Sequence, residues 1–301
     1  MTADRLTLDP FAPGVARVPI AFVNAYLVGE PGGPWVLVDT GLPRTAALTA
    51  RAAEARFGPG ARPEGIVLTH GHFDHAGSAR ELAERWDVPV WAHPLELPYL
   101  TGRSDYAPQD PTMGGAIAFL SRFFPSTGYD LGARVRPLPE SGTVPGLAGW
   151  RWLHTPGHTA GHVSLFREVD RLLLAGDAVA TMDLDSWTAQ LTKPRELDRP
   201  PVPFTPDWEA AQASVHRLAE LDPATIAAGH GLPITEDAAG RLRAYDGHVE
   251  VPVEGRYGRA PAVADETGIV ALPPPVPDPL PLRLGGVAAA VGAAALLRRR
   301  R

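Results

Sequence analysis

The apolar run Ile66-Val67-Leu68 leads into Thr69-His70-Gly71-His72-Phe73-Asp74-His75, so three histidines and one aspartate fall within six positions. The whole chain has ten histidines in 301 residues. In an extended segment alternate side chains share a face, so His70 and His72 can point at one ion. Asp74 and His75 lie past the strand end, where a loop can aim them at a second ion. A polar loop with incidental histidines is the competing reading. The context argues against it: a strand runs into the cluster, a helix follows, and Ala76 and Gly77 permit a tight turn.

Two ions need more ligands than these four, and the chain offers them in a recurring pattern. His158 follows the Pro156-Gly157 turn, Asp177 follows the apolar run Leu172-Leu173-Leu174 and a glycine, and His230 stands between Gly229 and Gly231. Each is a polar residue beside glycine at the end of an expected strand. The chain has no cysteine. Disulfides, thiolate metal sites and a cysteine nucleophile are therefore excluded, and any metal is held by nitrogen and oxygen.

Strands are expected over 16–30 and 34–41, a helix over 45–58, a strand running into the histidine cluster over 64–72, a helix over 76–86 and a strand with its exit over 88–96. This alternation implies a layered α/β domain. Residues 97–131 interrupt it with an apolar, aromatic stretch in which Met113, Ile117, Leu120 and Phe124 have helical spacing. A further helix is expected over 205–221, capped by Thr205 or Asp207. Net charge is −6, so nucleic acid is not an expected partner. The N-terminus does not read as a secretory signal, which makes the cytoplasm the expected location. Residues 251–283 read as a proline-rich linker. The apolar tail 284–301, rich in alanine and glycine and ending in Arg298 to Arg301, is short of the roughly 20 residues that span a bilayer. It reads either as a free tail or as a weak membrane contact through those arginines.

The motif set resembles the metallo-β-lactamase superfamily, and within it the glyoxalase II-like and lactonase-like hydrolases. The matching elements are Val38-Asp39-Thr40-Gly41, the 69–75 cluster, Thr155-Pro-Gly-His158-Thr-Ala-Gly-His162, Ala175-Gly-Asp177 and Gly229-His230-Gly231, in the family's order. The resemblance implies an α/β fold, an αββα sandwich of two mixed β-sheets flanked by helices, over residues 1–250. It implies a first metal site of His70, His72 and His158, a second of Asp74, His75 and His230, and Asp177 bridging both. Asp39 would support the ligands from behind, as would His162, while His93 sits at another strand end with either a site role or a structural one.

Two divalent ions about 3.5–4 Å apart can hold a bridging hydroxide that attacks an ester, lactone or thioester carbonyl. Zinc is the first expectation, with iron or manganese also admitted by the donors. Asp74 or Asp177 would handle the proton. The expected partner is a small-molecule acyl substrate. The 97–131 stretch reads as a core helix or as a lid over an apolar substrate, with Phe119 and Phe124 as contacts. Residues 182–204, with Trp187 and Phe204, would form the opposite wall. The implied bridging aspartate favours dinuclear hydrolases over true β-lactamases. Lys193 is the only lysine, which disfavours glyoxalase II proper. A mononuclear iron persulfide dioxygenase of the same fold is the alternative.

Overall fold

Strands that are apolar at nearly every position need cover on both faces, and two stacked sheets between helices supply it. The structure, a computed structural model, describes residues 8–248, 251–278 and 280. Seven strands pair in chain order: β1 (Asp9–Ala12), β2 (Val15–Ile20), β3 (Val23–Gly29), β4 (Trp35–Val38), β5 (Gly65–Val67), β6 (Val90–Ala92) and β7 (Val135–Pro137). The first four are antiparallel and the remainder parallel. The second sheet contains β8 (Thr143–Val144), β9 (Leu147–His154), β10 (Val163–Arg167), β11 (Leu172–Gly176) and β12 (Thr225–Ala228), in the order β12-β11-β10-β9-β8. Only its β11–β12 pair is parallel.

Three cores follow from the period-two alternation of strand side chains. Leu37, Ile66 and Val90 pack outward against α1 (Ala46–Phe57) and α2 (Ala79–Trp86). Val36, Val38 and Val67 face inward, against Val163, Leu165, Leu172 and Leu174 of the second sheet. The other face of that sheet, Leu173 and Ala175, packs on later helices, which are reached after three short ones: α3 (Leu97–Leu100), α4 (Gly115–Ser121) and α5 (Trp187–Thr192). These later helices are α6 (Trp208–Ala219) and α7 (Ala238–Asp246), which contribute Val215, Leu218 and Leu242. The layering is the expected αββα sandwich.

Within the expected linker 251–283, residues 255–271 depart from the extended chain that proline content suggested, while 279 and 281–283 lie outside the described residues. Residues 255–271 include α8 (Gly255–Arg259) and the hairpin of β13 (Val263–Asp265) and β14 (Gly268–Ala271). Tyr257 is the physical reason: it is buried with Val202 and Trp208, and its hydroxyl donates to Pro108 O. Ala262 N–H donates to Pro206 O at 3.0 Å. The tail over 284–301 lies outside the described residues. Among the described residues no helix is long and apolar enough to cross a membrane.

Of the two caps considered for α6, Asp207 is the one used: its carboxylate accepts from Ala210 N–H at 3.0 Å. The Thr205 hydroxyl donates instead to Pro201 O. Replacing Asp207 with alanine is expected to lower unfolding free energy by about 1 kcal/mol, read from denaturant midpoints of the full chain. An unchanged midpoint would show that the cap contributes nothing.

Candidate metal centre and pocket

Parallel pairing lines up strand ends. β4 and β5 deliver their C-terminal residues to one edge, and β11 and β12 do the same in the second sheet. Asp39 follows β4, the 70–75 cluster follows β5, Asp177 follows β11 and His230 comes just after β12. Backbone bonds lash the two edges together: Val163 N–H donates to Thr69 O at 2.9 Å and Asn24 N–H to Gly229 O at 2.8 Å. Ala228 O accepts from the Tyr26 hydroxyl at 2.6 Å and from Asn24 Nδ2 at 3.0 Å.

Three overlapping groups could each hold an ion: His70, His72 and His158; His70, His75 and Asp177; and Asp74, His75 and His230. Within each group the potential ligand atoms lie within 4.8 Å of one another. His158 Nε2 is 2.9 Å from His72 Nδ1 and 3.2 Å from His70 Nε2. Asp177 Oδ2 reaches both sides, 3.5 Å from His158 Nε2, 3.4 Å from His75 Nε2 and 3.2 Å from His230 Nε2. Asp74 Oδ2 lies 3.5 Å from His230 Nε2.

The outer nitrogens fix which inner atoms carry protons. The Thr69 hydroxyl has one hydrogen and gives it to Asp39 Oδ2 at 2.8 Å, so it can only accept from His70 Nδ1–H at 3.1 Å. Thr205 likewise spends its hydrogen on Pro201 O and accepts from His158 Nδ1–H at 3.3 Å. A neutral imidazole carries one N–H. His70 Nε2 and His158 Nε2 therefore meet as two bare lone pairs. His230 Nδ1–H donates to Phe22 O at 2.9 Å and His75 Nδ1–H to Asp39 Oδ2 at 2.8 Å, so their Nε2 atoms also point inward without hydrogen when neutral. His75 Nε2 and Asp177 Oδ1 are buried with no hydrogen-bond partner among the described residues. Converging lone pairs backed by outer hydrogen bonds are what a divalent cation requires of its ligands, and tetrahedral zinc–imidazole bonds would set neighbouring nitrogens about 3.3 Å apart.

Electrostatics agree with this pattern. Burial holds His72 down to about 3 and His70 and His158 well below the usual imidazole range, with neighbouring histidines adding to the effect. These rings are neutral donors. His75 and His230 go the other way: burial alone would lower them, but the carboxylate of Asp177, with Asp39 and Asp74 for His75 and with Asp74 for His230, outweighs it and raises both. Burial opposes ionisation of Asp177, yet His230 and His75 hold it well below the ordinary carboxylate range. The second group thus attracts positive charge.

Asp39 lies behind the cluster with φ of 56°, a left-handed conformation that aspartate tolerates better than most residues. It accepts from Thr69 N–H at 2.8 Å as well as from Thr69 Oγ1 and His75. His162 also lies behind: its Nε2 accepts from Asp177 N–H at 2.9 Å, fixing the backbone that presents Asp177. His93 is outside the cluster, stacked on His154 with ring centroids 4.1 Å apart.

A pocket opens over the cluster. Phe22, Phe73, Phe124, Phe204, Ile117 and Leu184 form much of its wall, and His72, Asp74, His158, Asp177 and His230 form its polar floor. Among the described residues no lysine or arginine lines it. Phe119 and Trp187, expected as substrate contacts, are not among the residues that line this pocket: they are 40% and 55% exposed and touch each other, with centroids 5.8 Å apart. Ile117, Leu120 and Phe124 are spaced to share one side of the α4 segment, and Phe119 is out of step with them. Trp187 opens α5, whose buried residue is Ala189. Two wall residues escaped the sequence reading. Phe73 had a signal, since it sits inside the ligand cluster, whereas Phe22 at the β2–β3 turn had none.

Removing Asp39 strips the acceptor from Thr69 N–H, Thr69 Oγ1 and His75 Nδ1 at once. Asp39→Ala is expected to lose about 3 kcal/mol of stability, measured by denaturant unfolding. A loss under about 0.5 kcal/mol, the range of neutral surface changes, would sink this account of the support.

Comparison with known proteins agrees with the geometry. Residues 18–230 match the model of the metallo-beta-lactamase superfamily. The chain is 45% identical over 227 residues to the probable metallo-hydrolase YflN of Bacillus subtilis (strain 168), covering 74% of this chain and 86% of that one. It is 32% identical over 215 residues to the probable metallo-hydrolase YybB of the same organism, covering 71% and 82%. The solved metallo-beta-lactamase family protein TTHA1429 from Thermus thermophilus shares the fold, with a TM-score of 0.52 at 24% identity over 79% of each chain. With the ordered motifs and the four-layer sandwich, these matches place the chain in the metallo-beta-lactamase superfamily.

Proposed function

We propose that this chain is a two-metal hydrolase of neutral acyl compounds, cleaving an ester, lactone or thioester. The observation that carries the reading is the position of Asp177 Oδ2, within 3.5 Å of both His158 Nε2 and His230 Nε2. One carboxylate oxygen between two ligand groups suits a bridging ligand. His70, His72 and His158 would hold the first ion, and Asp74, His75 and His230 the second. Zinc is the ion we expect, and the nitrogen and oxygen donors also accept iron or manganese. Such a pair supplies a water acidic enough to attack at neutral pH and an electrophile for the carbonyl oxygen.

The remaining work falls to the chain itself. The aromatic wall binds the acyl group and excludes water from the reacting carbonyl. A wall without lysine or arginine among the described residues leaves a substrate carboxylate without a counter-charge, which favours neutral substrates. Asp74 borders the pocket and is the carboxylate placed to pass a proton to the leaving alcohol or thiol. Asp177 also lines the floor but is the more buried of the two, 2% exposed against 7% for Asp74, and its role is to hold the two ligand groups at a fixed separation.

Elemental mass spectrometry of the purified full chain is expected to find two zinc ions, or two manganese or iron ions, per chain. Asp177→Ala and His72→Ala are expected to lose metal and to reduce turnover of neutral lactones and thioesters by at least about a hundredfold. Carboxylate-bearing substrates, β-lactams among them, should be hydrolysed far more slowly. One iron per chain with oxygen uptake on a persulfide substrate would replace this reading with the dioxygenase one.

A further inference from the structure

Glu96 is a buried carboxylate that the proposed reaction does not use. It ends the short turn Pro94–Glu96 after β6, is 0% exposed, and makes no ion pair with a lysine or arginine among the described residues. Four donors meet it instead. Oε2 accepts from Gly71 N–H at 3.0 Å and from the Tyr106 hydroxyl at 2.5 Å. Oε1 accepts from Gly161 N–H at 3.0 Å and from the Thr159 hydroxyl at 2.6 Å. The division is one oxygen per loop. Gly71 stands between His70 and His72, while Thr159 and Gly161 follow His158.

Both glycines are needed for this approach. A Cβ at Gly161 would come within 2.7 Å of Glu96 N, and one at Gly71 would collide with the Tyr106 hydroxyl. Tyr106 adds a second contact, its ring set edgewise on His72 with centroids 4.6 Å apart.

We infer that Glu96 is a positioning residue that sets the spacing between the two loops carrying His70, His72 and His158. The inference rests on the reading of those histidines as a metal site. It assigns Glu96 no contact with metal or substrate. Its function requires both oxygens to be acceptors. In Glu96→Gln the amide nitrogen must face either the Gly71 pair or the Gly161 pair. Either orientation turns one backbone N–H towards another donor and releases one loop.

The test is zinc titration of the metal-stripped full chain against a chromophoric chelator, with thermal unfolding of the metal-free protein alongside. Wild type is expected to bind two zinc ions. Glu96→Gln should bind one as wild type does and the other about tenfold to a hundredfold more weakly. The weakened site is identified by comparison with His72→Ala, which lacks it. Thr159→Val and Tyr106→Phe keep the carboxylate and remove one donor each. They should weaken the same site by smaller factors, and they serve as the test if Glu96→Gln does not fold. Unchanged affinity at both sites in all three variants would overturn the inference. So would equal weakening of both sites in step with a lower metal-free melting temperature, because that is damage to the fold at large. A wild type that takes up no zinc would remove the metal-site reading, and the role of Glu96 with it. Two zinc ions bound with wild-type affinity in every variant would remove the role of Glu96 alone.

Discussion

Two imidazole nitrogens, His70 Nε2 and His158 Nε2, face each other 3.2 Å apart with no hydrogen between them. Nothing in the pair itself favours that arrangement. It persists because hydroxyl groups behind each ring decide where the single proton of a neutral histidine sits, and because burial keeps both rings neutral. Much of the surrounding architecture serves to hold mutually repelling groups close together. Parallel strand pairs bring the loops to one edge, cross-sheet backbone bonds lock the edges, and buried carboxylates at Asp39 and Glu96 gather the N–H groups of those loops.

These two carboxylates solve different problems. Asp39 sits beneath the second ligand group and fixes a ring directly through His75. Glu96 touches no ligand atom and acts on backbone, holding one loop with each oxygen. A folded chain can tolerate a buried negative group when its oxygens are met by donors: Glu96 has four, two on each oxygen, and Asp39 has three. The same backbone donors would be left unpaired if either side chain were apolar, so the carboxylates order the loops at the same time as they are stabilised by them.

Much of the fold, and the residues that gather into the histidine and aspartate cluster, were legible in the sequence, for a physical reason. A ligand at a strand end needs an apolar strand before it and a small residue beside it, and those marks are local. Asp39, His70, His158, Asp177 and His230 each carry them. The pocket wall was legible only in part. Ile117, Leu120 and Phe124 show their spacing in the chain, but nothing local turns Phe119 and Trp187 outward or brings Phe22 in from a hairpin turn. Proline content misjudged residues 255–271 because one aromatic residue, Tyr257, docks that segment in a way composition cannot express. Glu96 had no local mark. It is one glutamate after a proline, and its meaning lies in four donors drawn from three distant segments.

The pocket walls come mostly from segments that hold no ligand: α4 and its flank supply Ile117 and Phe124, and the stretch between Asp177 and α6 supplies Leu184 and Phe204. Phe22 and Phe73 are the exceptions. Phe73 lies between His72 and Asp74, and the carbonyl of Phe22 anchors His230. Most of the pocket wall can therefore change in relatives of this chain while the polar floor of histidines and aspartates stays as it is. Differences in pocket shape should accumulate in the two outer segments, and positions 22 and 73 should change slowly, since a shift there would disturb the wall and the cluster together.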